Sequence, residues 1–286
     1  MSIWTELLCM EVKQTYYDAG GIMTRAIEAG DGPPLLLLHG TGGHAEAYAR
    51  NMAAHAEHFH VYAIDMVGYG YTAKPDVKFY IPDFAIHVLA FMDAIGAKKA
   101  SISGESLGAM VGAWIAAEHP DRVERLVMNT GMLMPLDDRQ SMIDVLERSR
   151  QATGGLTLES VRKRMEWLMY DVKNVPDEIV DVRYKIYSEP GMLDVMSRVT
   201  ESVLAGVVDD DYTAKWLNPE KMRDIQCPVL VLWGKHNPGQ TLECAQEGLA
   251  YIKDARLVVM QESAHWPQWE EADTFNKAHI SFLRGE

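Results

Sequence analysis

Residues 100–108 read Ala100-Ser101-Ile102-Ser103-Gly104-Glu105-Ser106-Leu107-Gly108, and this stretch decides the fold. Ala100–Ser103 is a short apolar run of the kind that forms a buried strand. Gly104-Glu105-Ser106-Leu107-Gly108 follows as G-x-S-x-G, and Leu107–Glu118 then carries apolar residues at helical spacing until His119-Pro120 stops it. A strand, a sharp turn and a helix in this order hold a serine on a strained turn, and side chains at the flanking glycine positions would clash there. Ser106 is therefore the candidate nucleophile.

Working outward, other continuous apolar runs lie at Leu35–Leu38, His60–Asp65, Val123–Asn129, Val229–Trp233 and Arg256–Met260. Runs without polar alternation suit strands buried on both faces of a parallel sheet. Residues 10–17 and 22–28 read as two extended pieces around the hairpin signal Asp18-Ala19-Gly20-Gly21. Helical patterns fall between the runs at Phe84–Ile95, Leu242–Ile252 and Thr274–Leu283, so the chain predicts a mostly parallel, doubly wound α/β sheet. From about residue 131 to 217 the alternation stops, and only helical patterns appear, such as Leu158–Tyr170 and Asp177–Tyr187. This segment is expected to be a helical lid (131–217) inserted into a core of residues 1–130 and 218–286. Its methionines, Met132, Met134, Met142, Met165, Met169, Met192 and Met196, are either plain core filler or a pliable apolar lining.

A formal net charge of −14 argues against nucleic acid or an anionic membrane as partner. No apolar run approaches the length of a membrane span, and the start lacks a signal-peptide pattern. Cys9, Cys227 and Cys244 form neither a disulfide framework nor a zinc spacing, and a cytoplasmic location is the expectation. His55, His58 and His60 are expected to decorate a solvated helix end rather than bind metal.

A serine hydroxyl needs a base. His265 follows the last apolar run, where chain order in this kind of sheet places it. The attacked carbonyl also needs N–H donors, and His39-Gly40-Thr41-Gly42-Gly43 supplies an open turn after a strand. The amides of Thr41 and Leu107 are the expected pair, with His39 as structural support.

Taken together, these residues resemble the meta-cleavage product hydrolases, carbon–carbon bond hydrolases of bacterial aromatic degradation with the α/β-hydrolase fold. The sharpest stretch is His265-Trp266-Pro267-Gln268-Trp269-Glu270-Glu271-Ala272-Asp273, followed by Phe275-Asn276 and Phe282-Leu283. A second match is Trp167-Leu168-Met169-Tyr170-Asp171 with Asp177-Glu178-Ile179-Val180-Asp181-Val182-Arg183. The resemblance implies a small-molecule substrate of the 2-hydroxy-6-oxo-hexa-2,4-dienoate type. It implies ketonisation of the dienol with His265 and Ser106 handling protons, then attack on the distal carbonyl. It implies no metal or organic cofactor, and a homo-oligomer, dimer or larger. Arg183 would bind the substrate carboxylate, and Asn51, Gly40 and Trp266 would line the site.

The sequence departs from the family pattern twice. Where a triad aspartate is expected, in Trp233-Gly234-Lys235-His236-Asn237-Pro238, stands Asn237. An asparagine can accept a hydrogen bond from the histidine but brings no charge, and Asp-to-Asn in a serine-protease triad costs about 10⁴ in turnover through the wrong tautomer. Three explanations stay open: another carboxylate serves, with Glu243 or the Asp209–Asp211 run as candidates; a neutral partner suffices; or the substitution was made to trap a ligand. The second departure is Glu105, where the family carries an asparagine that helps hold the substrate carboxylate. A glutamate there repels that carboxylate unless it pairs with a cation such as Arg183 or points elsewhere. An ester or lactone hydrolase with an apolar acyl site is the alternative activity, and a non-hydrolytic binder or lyase rests on Asn237 alone.

Overall fold

A computed structural model of the chain describes residues 3–7, 9–76, 79–135, 139–204 and 209–286. A short helix α1 (Ile3–Leu7) precedes the strands β1 (Lys13–Ala19), β2 (Ile22–Ala29), β3 (Pro34–Leu38), β4 (His60–Ile64), β5 (Ala100–Glu105), β6 (Val123–Asn129), β7 (Val229–Gly234) and β8 (Ala255–Met260). Helices α2 (Ala49–Ala56), α3 (Ile81–Ala94) and α4 (Leu107–Glu118) lie between strands of the first half. Between β6 and β7 come α5 (Arg139–Gly154), α6 (Leu158–Leu168), α7 (Asp177–Tyr187), α8 (Met192–Val199) and α9 (Asp210–Trp216), and among the described residues of this segment there is no strand. Helices α10 (Leu242–Gly248), α11 (Pro267–Glu270) and α12 (Ala272–Arg284) complete the chain.

The eight strands form one sheet in the order β1-β2-β4-β3-β5-β6-β7-β8. The β1–β2 and β2–β4 pairs are antiparallel and the rest parallel, so the expected doubly wound sheet is present. Gly20 and Gly21 both have positive φ, 65° and 90°, and close the first hairpin with Ala19 opposite Ile22; this is the geometry a two-residue turn between twisted strands requires. Strands β3 and β7 are buried nearly throughout, as their unbroken apolar sequences predict, and β5 is buried throughout although it carries Ser101, Ser103 and Glu105. Strand β8 differs: it is the sheet edge, most of its residues are half-buried, and Arg256 is exposed. Its apolar run reflects one covered face and a missing neighbour rather than burial on both sides.

Helices α3 and α4 pack on one another and on β1, β5 and β6, whereas α2 and α12 pack together and on β4, β7 and β8. The second layer is tied to the sheet by a buried polar chain. Ser103 Oγ on β5 meets His279 Nε2 at 2.8 Å, His279 Nδ1 meets His55 Nε2 at 2.7 Å, and His55 Nδ1 meets the Asn51 carbonyl at 2.6 Å. The carbonyl can only accept, so His55 Nδ1 carries a hydrogen and His55 Nε2 is an acceptor; His279 Nδ1 then donates, and its Nε2 accepts from Ser103. Both rings are neutral with assigned tautomers. Sequence placed His55 at a solvated helix end, but it is fully buried, because this face of α2 meets α12 rather than water. His58 is exposed as expected, and half-buried His60 contacts Glu28 at 3.0 Å.

Burial pushes His55 down to about 4 and His279 well below the usual histidine range. Above the unfolded value of about 6.5 neither state binds these protons, and stability is complete. As pH falls from about 6.5 toward 4 the unfolded chain takes up protons that the folded chain refuses, so each ring removes up to about 1.4 kcal/mol per pH unit. The denaturation midpoint should fall over this window, and less steeply for His279→Gln. An equal slope in the two proteins would show that the chain does not govern acid sensitivity.

Candidate active site

Strand β3 is followed in sequence by β4 on one side of it and has β5 on the other. In an open parallel sheet the crevice at such a switch, beyond the carboxyl ends of the strands, is the natural binding site. Leu38 at the end of β3 pairs with Gly104 at the end of β5, so the glycine-rich turn 39–43 and the Ser106 turn emerge side by side.

Ser106 has φ 53° and ψ −114°, a strained backbone costing of order 1–3 kcal/mol. The surroundings hold it there. A Cβ on Gly104 would lie 2.1 Å from the Gly108 carbonyl carbon, and one on Gly108 would lie 2.3 Å from the Leu38 carbonyl oxygen. The Ser106 amide donates to the Asn129 carbonyl at 2.9 Å. Half-buried Ser106 lines a cavity together with Thr41, Leu107, Asn237, His265 and Trp266.

Within the turn, the Gly43 amide donates to the Gly40 carbonyl at 2.9 Å and the Gly40 amide to Glu105 Oε2 at 2.6 Å. Thr41 lies between these engaged amides on the cavity wall. Leu107 is the first residue of α4, where helix amides lack partners within the helix. The two expected oxyanion donors therefore belong to residues that face Ser106's cavity. His39, fully buried, braces the turn by accepting the Met66 amide at Nε2, 3.0 Å.

His265 lies between β8 and α11, and its amide donates to the Leu168 carbonyl at the end of α6, 2.9 Å away. Its Nδ1 is 2.6 Å from Asn237 Oδ1. The Asn237 amide nitrogen donates to the Gln240 carbonyl at 2.6 Å, and the reverse orientation would press two acceptor oxygens together. Asn237 thus presents oxygen to the ring and holds Nδ1 as a donor, so the tautomer is the one a triad aspartate would select. What Asn237 lacks is charge. Glu243 and Asp209–Asp211 are exposed and do not replace it.

Glu105 does not point elsewhere. It is 2% exposed, and its Oε1 is 3.1 Å from His265 Nε2. Gly40, expected against substrate, is occupied by this carboxylate: a Cβ there would fall 2.6 Å from Oε1. Asn51 is a correction as well. It is fully buried on α2, and its amide donates to the Gln268 carbonyl at 3.0 Å and to Asn276 Oδ1 at 2.7 Å, so it fastens α2 to α11 and α12 and does not line the cavity.

Arg183 enters the cavity from α7 at 1% exposure, stacked 5.0 Å over the Trp266 ring, and its Nε and Nη1 have no partner among the described residues. Sequence reading missed a second guanidinium, Arg164 on α6. It lines the same cavity, its buried Nη1 is also unpaired among the described residues, and burial pushes it down to about 10, so it stays charged at neutral pH. The signal was available: Arg164 shares a helical face with buried Val161, Met165 and Leu168, where a charge is out of place in an amphipathic pattern. Of the methionines named above, Met134 lines the cavity, whereas Met132, Met165, Met169, Met192 and Met196 are buried in packing; the Met142 side chain lies outside the described residues.

The family model for the alpha/beta hydrolase fold matches residues 33–272, and the chain belongs to that family. The chain is 28% identical over 274 residues to a 2-hydroxy-6-oxo-2,4-heptadienoate hydrolase of Pseudomonas putida, covering 94% of this chain and 95% of the relative. It is also 28% identical to a 2-hydroxy-6-oxo-6-(2'-aminophenyl)hexa-2,4-dienoic acid hydrolase of Metapseudomonas resinovorans, covering 94% and 90%. Among solved structures, a serine hydrolase involved in carbazole degradation superimposes with a TM-score of 0.84 at 26% identity, covering 96% of this chain and all of the other. The fold and the kinship expected from the sequence are thus both found.

Because the Leu38 carbonyl is backbone and cannot swing away, Gly108→Ala should destabilise the protein by about 3 kcal/mol or more, measured by chemical denaturation. A loss below about 1 kcal/mol would show that the turn relaxes more easily than its packing indicates.

Proposed function

We propose that the protein hydrolyses a carbon–carbon bond in a 2-hydroxy-6-oxo-hexa-2,4-dienoate ring-fission product, with Ser106 as nucleophile and His265 as its proton partner. The observation that carries this reading is the pair of cationic side chains in the cavity that holds Ser106, Arg183 and Arg164, whose buried Nε and Nη1 (Arg183) and Nη1 (Arg164) have no hydrogen-bond partner among the described residues. An uncompensated buried charge costs several kcal/mol, so such a pocket favours an anionic ligand. The remaining walls, including Met110, Met134, Leu168, Val203 and Leu217, suit an apolar carbon skeleton. The kinship with dienoate hydrolases supports the same substrate class.

In this reading Arg183 anchors the carboxylate and the chain of the substrate runs toward Ser106. The enol proton is removed and a proton is delivered to carbon 5, giving the keto form. Ser106 Oγ then attacks the carbon 6 carbonyl, whose oxygen takes up negative charge facing the Thr41 and Leu107 amides. When the bond between carbons 5 and 6 breaks, its electron pair delocalises through the alkene into the 2-keto group and the adjacent proton donor quenches it. Water then releases the acyl group from Ser106. The helical segment 131–217 acts as the lid: it supplies Arg164 and Arg183, and Tyr187 on α7 donates to the Gly42 carbonyl at 2.7 Å, joining the insertion to the oxyanion turn.

A synthetic dienoate should lose its visible absorbance on incubation with the protein, with slower or no turnover of p-nitrophenyl esters. Turnover of the esters alone would replace this reading with an esterase or lactonase. Arg183→Met should raise KM for the dienoate by about 30-fold or more, as expected for losing a buried charge-assisted contact, and leave KM for a neutral ester within about threefold. Equal effects on both substrates would remove Arg183 from carboxylate binding.

A further inference from the structure

The two departures from the family pattern meet on one ring. Asn237 occupies the Nδ1 side of His265 without a charge, and Glu105 occupies the Nε2 side with one. We propose that Glu105 is a catalytic residue that shares a single proton with His265 Nε2 and supplies, from that side of the ring, the negative charge missing at position 237. The proposal rests on the assignment of Ser106 and His265 given above.

The hydrogen-bond inventory carries the argument. His265 Nδ1 donates to Asn237 Oδ1, since the Asn237 amide nitrogen is committed to the Gln240 carbonyl. Glu105 Oε2 accepts the Gly40 amide. Nε2 and Oε1 then face one another at 3.1 Å, each with a lone pair, and a contact between two lone pairs in a buried site is repulsive. One proton between them makes it attractive. Glu105 is therefore not free to repel a substrate carboxylate; its charge is absorbed by the ring, and Arg164 and Arg183 remain for the substrate.

The proton then has a defined path. As Ser106 Oγ forms its bond to the carbonyl carbon, the carbonyl π pair moves to oxygen and the Oγ proton passes to Nε2. The proton already on Nε2 passes to Glu105 Oε1, so the carboxylate becomes neutral while the oxyanion appears. When the carbon–carbon bond breaks, the leaving carbon takes the proton from Nε2 and the Glu105 proton returns to the ring. Throughout, Asn237 keeps Nδ1 protonated and the ring correctly turned.

Two variants and one spectrum test this. Glu105→Asn should lower kcat for the dienoate by about 100-fold, with KM changed by less than about threefold. Adding Asn237→Asp to it, which moves the carboxylate to the Nδ1 side, should recover at least about tenfold of that loss. A side chain that is merely structural at position 105 would not be rescued from position 237. In the native protein, ¹⁵N resonances of the His265 ring at neutral pH should report a proton on Nε2, and in Glu105→Asn they should report an unprotonated Nε2. Unchanged or raised kcat in Glu105→Asn, no recovery in the double variant, or an unprotonated Nε2 in the native protein would overturn the proposal. If the native protein turns over neither dienoate nor ester, the function proposed above fails, and the native ring spectrum still decides whether the proton is shared.

Discussion

The contact between α4 and the end of β3 governs the rest of the molecule. Gly108 sits so close to the Leu38 carbonyl that no side chain fits between them, and Gly104 sits equally close to Gly108. This packing draws the helix onto the strand ends and forces Ser106 to a positive φ. The strain is tolerated because the sheet on either side is paired in register: Leu38 with Gly104, and Gly104 with Met128. A strained residue persists only where its surroundings over-determine it, and here the surroundings are backbone atoms.

Around that fixed point the site distributes charge unusually. The ring of His265 lies between a neutral amide and a buried carboxylate, and in the same cavity Arg183 Nε and Nη1 and Arg164 Nη1 have no hydrogen-bond partner among the described residues. Low effective dielectric strengthens each of these relationships and makes each unpaired group costly. The positions are mutually dependent. The Gln240 carbonyl orients Asn237, Asn237 sets the His265 tautomer, and that tautomer determines what Glu105 can do. Gln240 is itself held, its side chain bonded to the Met132 amide at 3.0 Å and the Met134 carbonyl at 2.7 Å. The first residues of the helical segment after β6 thus reach His265 through a relay of hydrogen bonds.

Much of this fold could be read from apolar runs and glycine placement, because parallel strands and sharp turns leave strong local signatures. Val123–Asn129, Leu107–Glu118 and Asp177–Tyr187 fall where their patterns place them. Edge position is not a local property, so β8 looked like an interior strand. Ser106, His265, Asn237, Thr41 and Leu107, candidates by their order and neighbours in the sequence, line one cavity. The state of Asn237 was not recognisable, because it depends on a backbone carbonyl three residues away. The place of Glu105 was hidden for a related reason: whether a strand-end carboxylate meets solvent, substrate or a ring depends on the loop after β8. Asn51 had the right residue type and the wrong direction, since the face of α2 that carries it turns toward α12. Arg164 could have been found by noticing a charge on a buried helical stripe.

The bond from the His265 amide to the Leu168 carbonyl joins the helical segment to the loop that carries His265, and both partners are main-chain atoms. No side-chain replacement can delete it, short of a proline at position 265. A side chain on α6 or α7 can therefore be exchanged, altering a cavity wall, without removing this tie between α6 and the loop after β8. The shape of the cavity is thus set by side chains, and the position of its helical wall relative to His265 by the main chain.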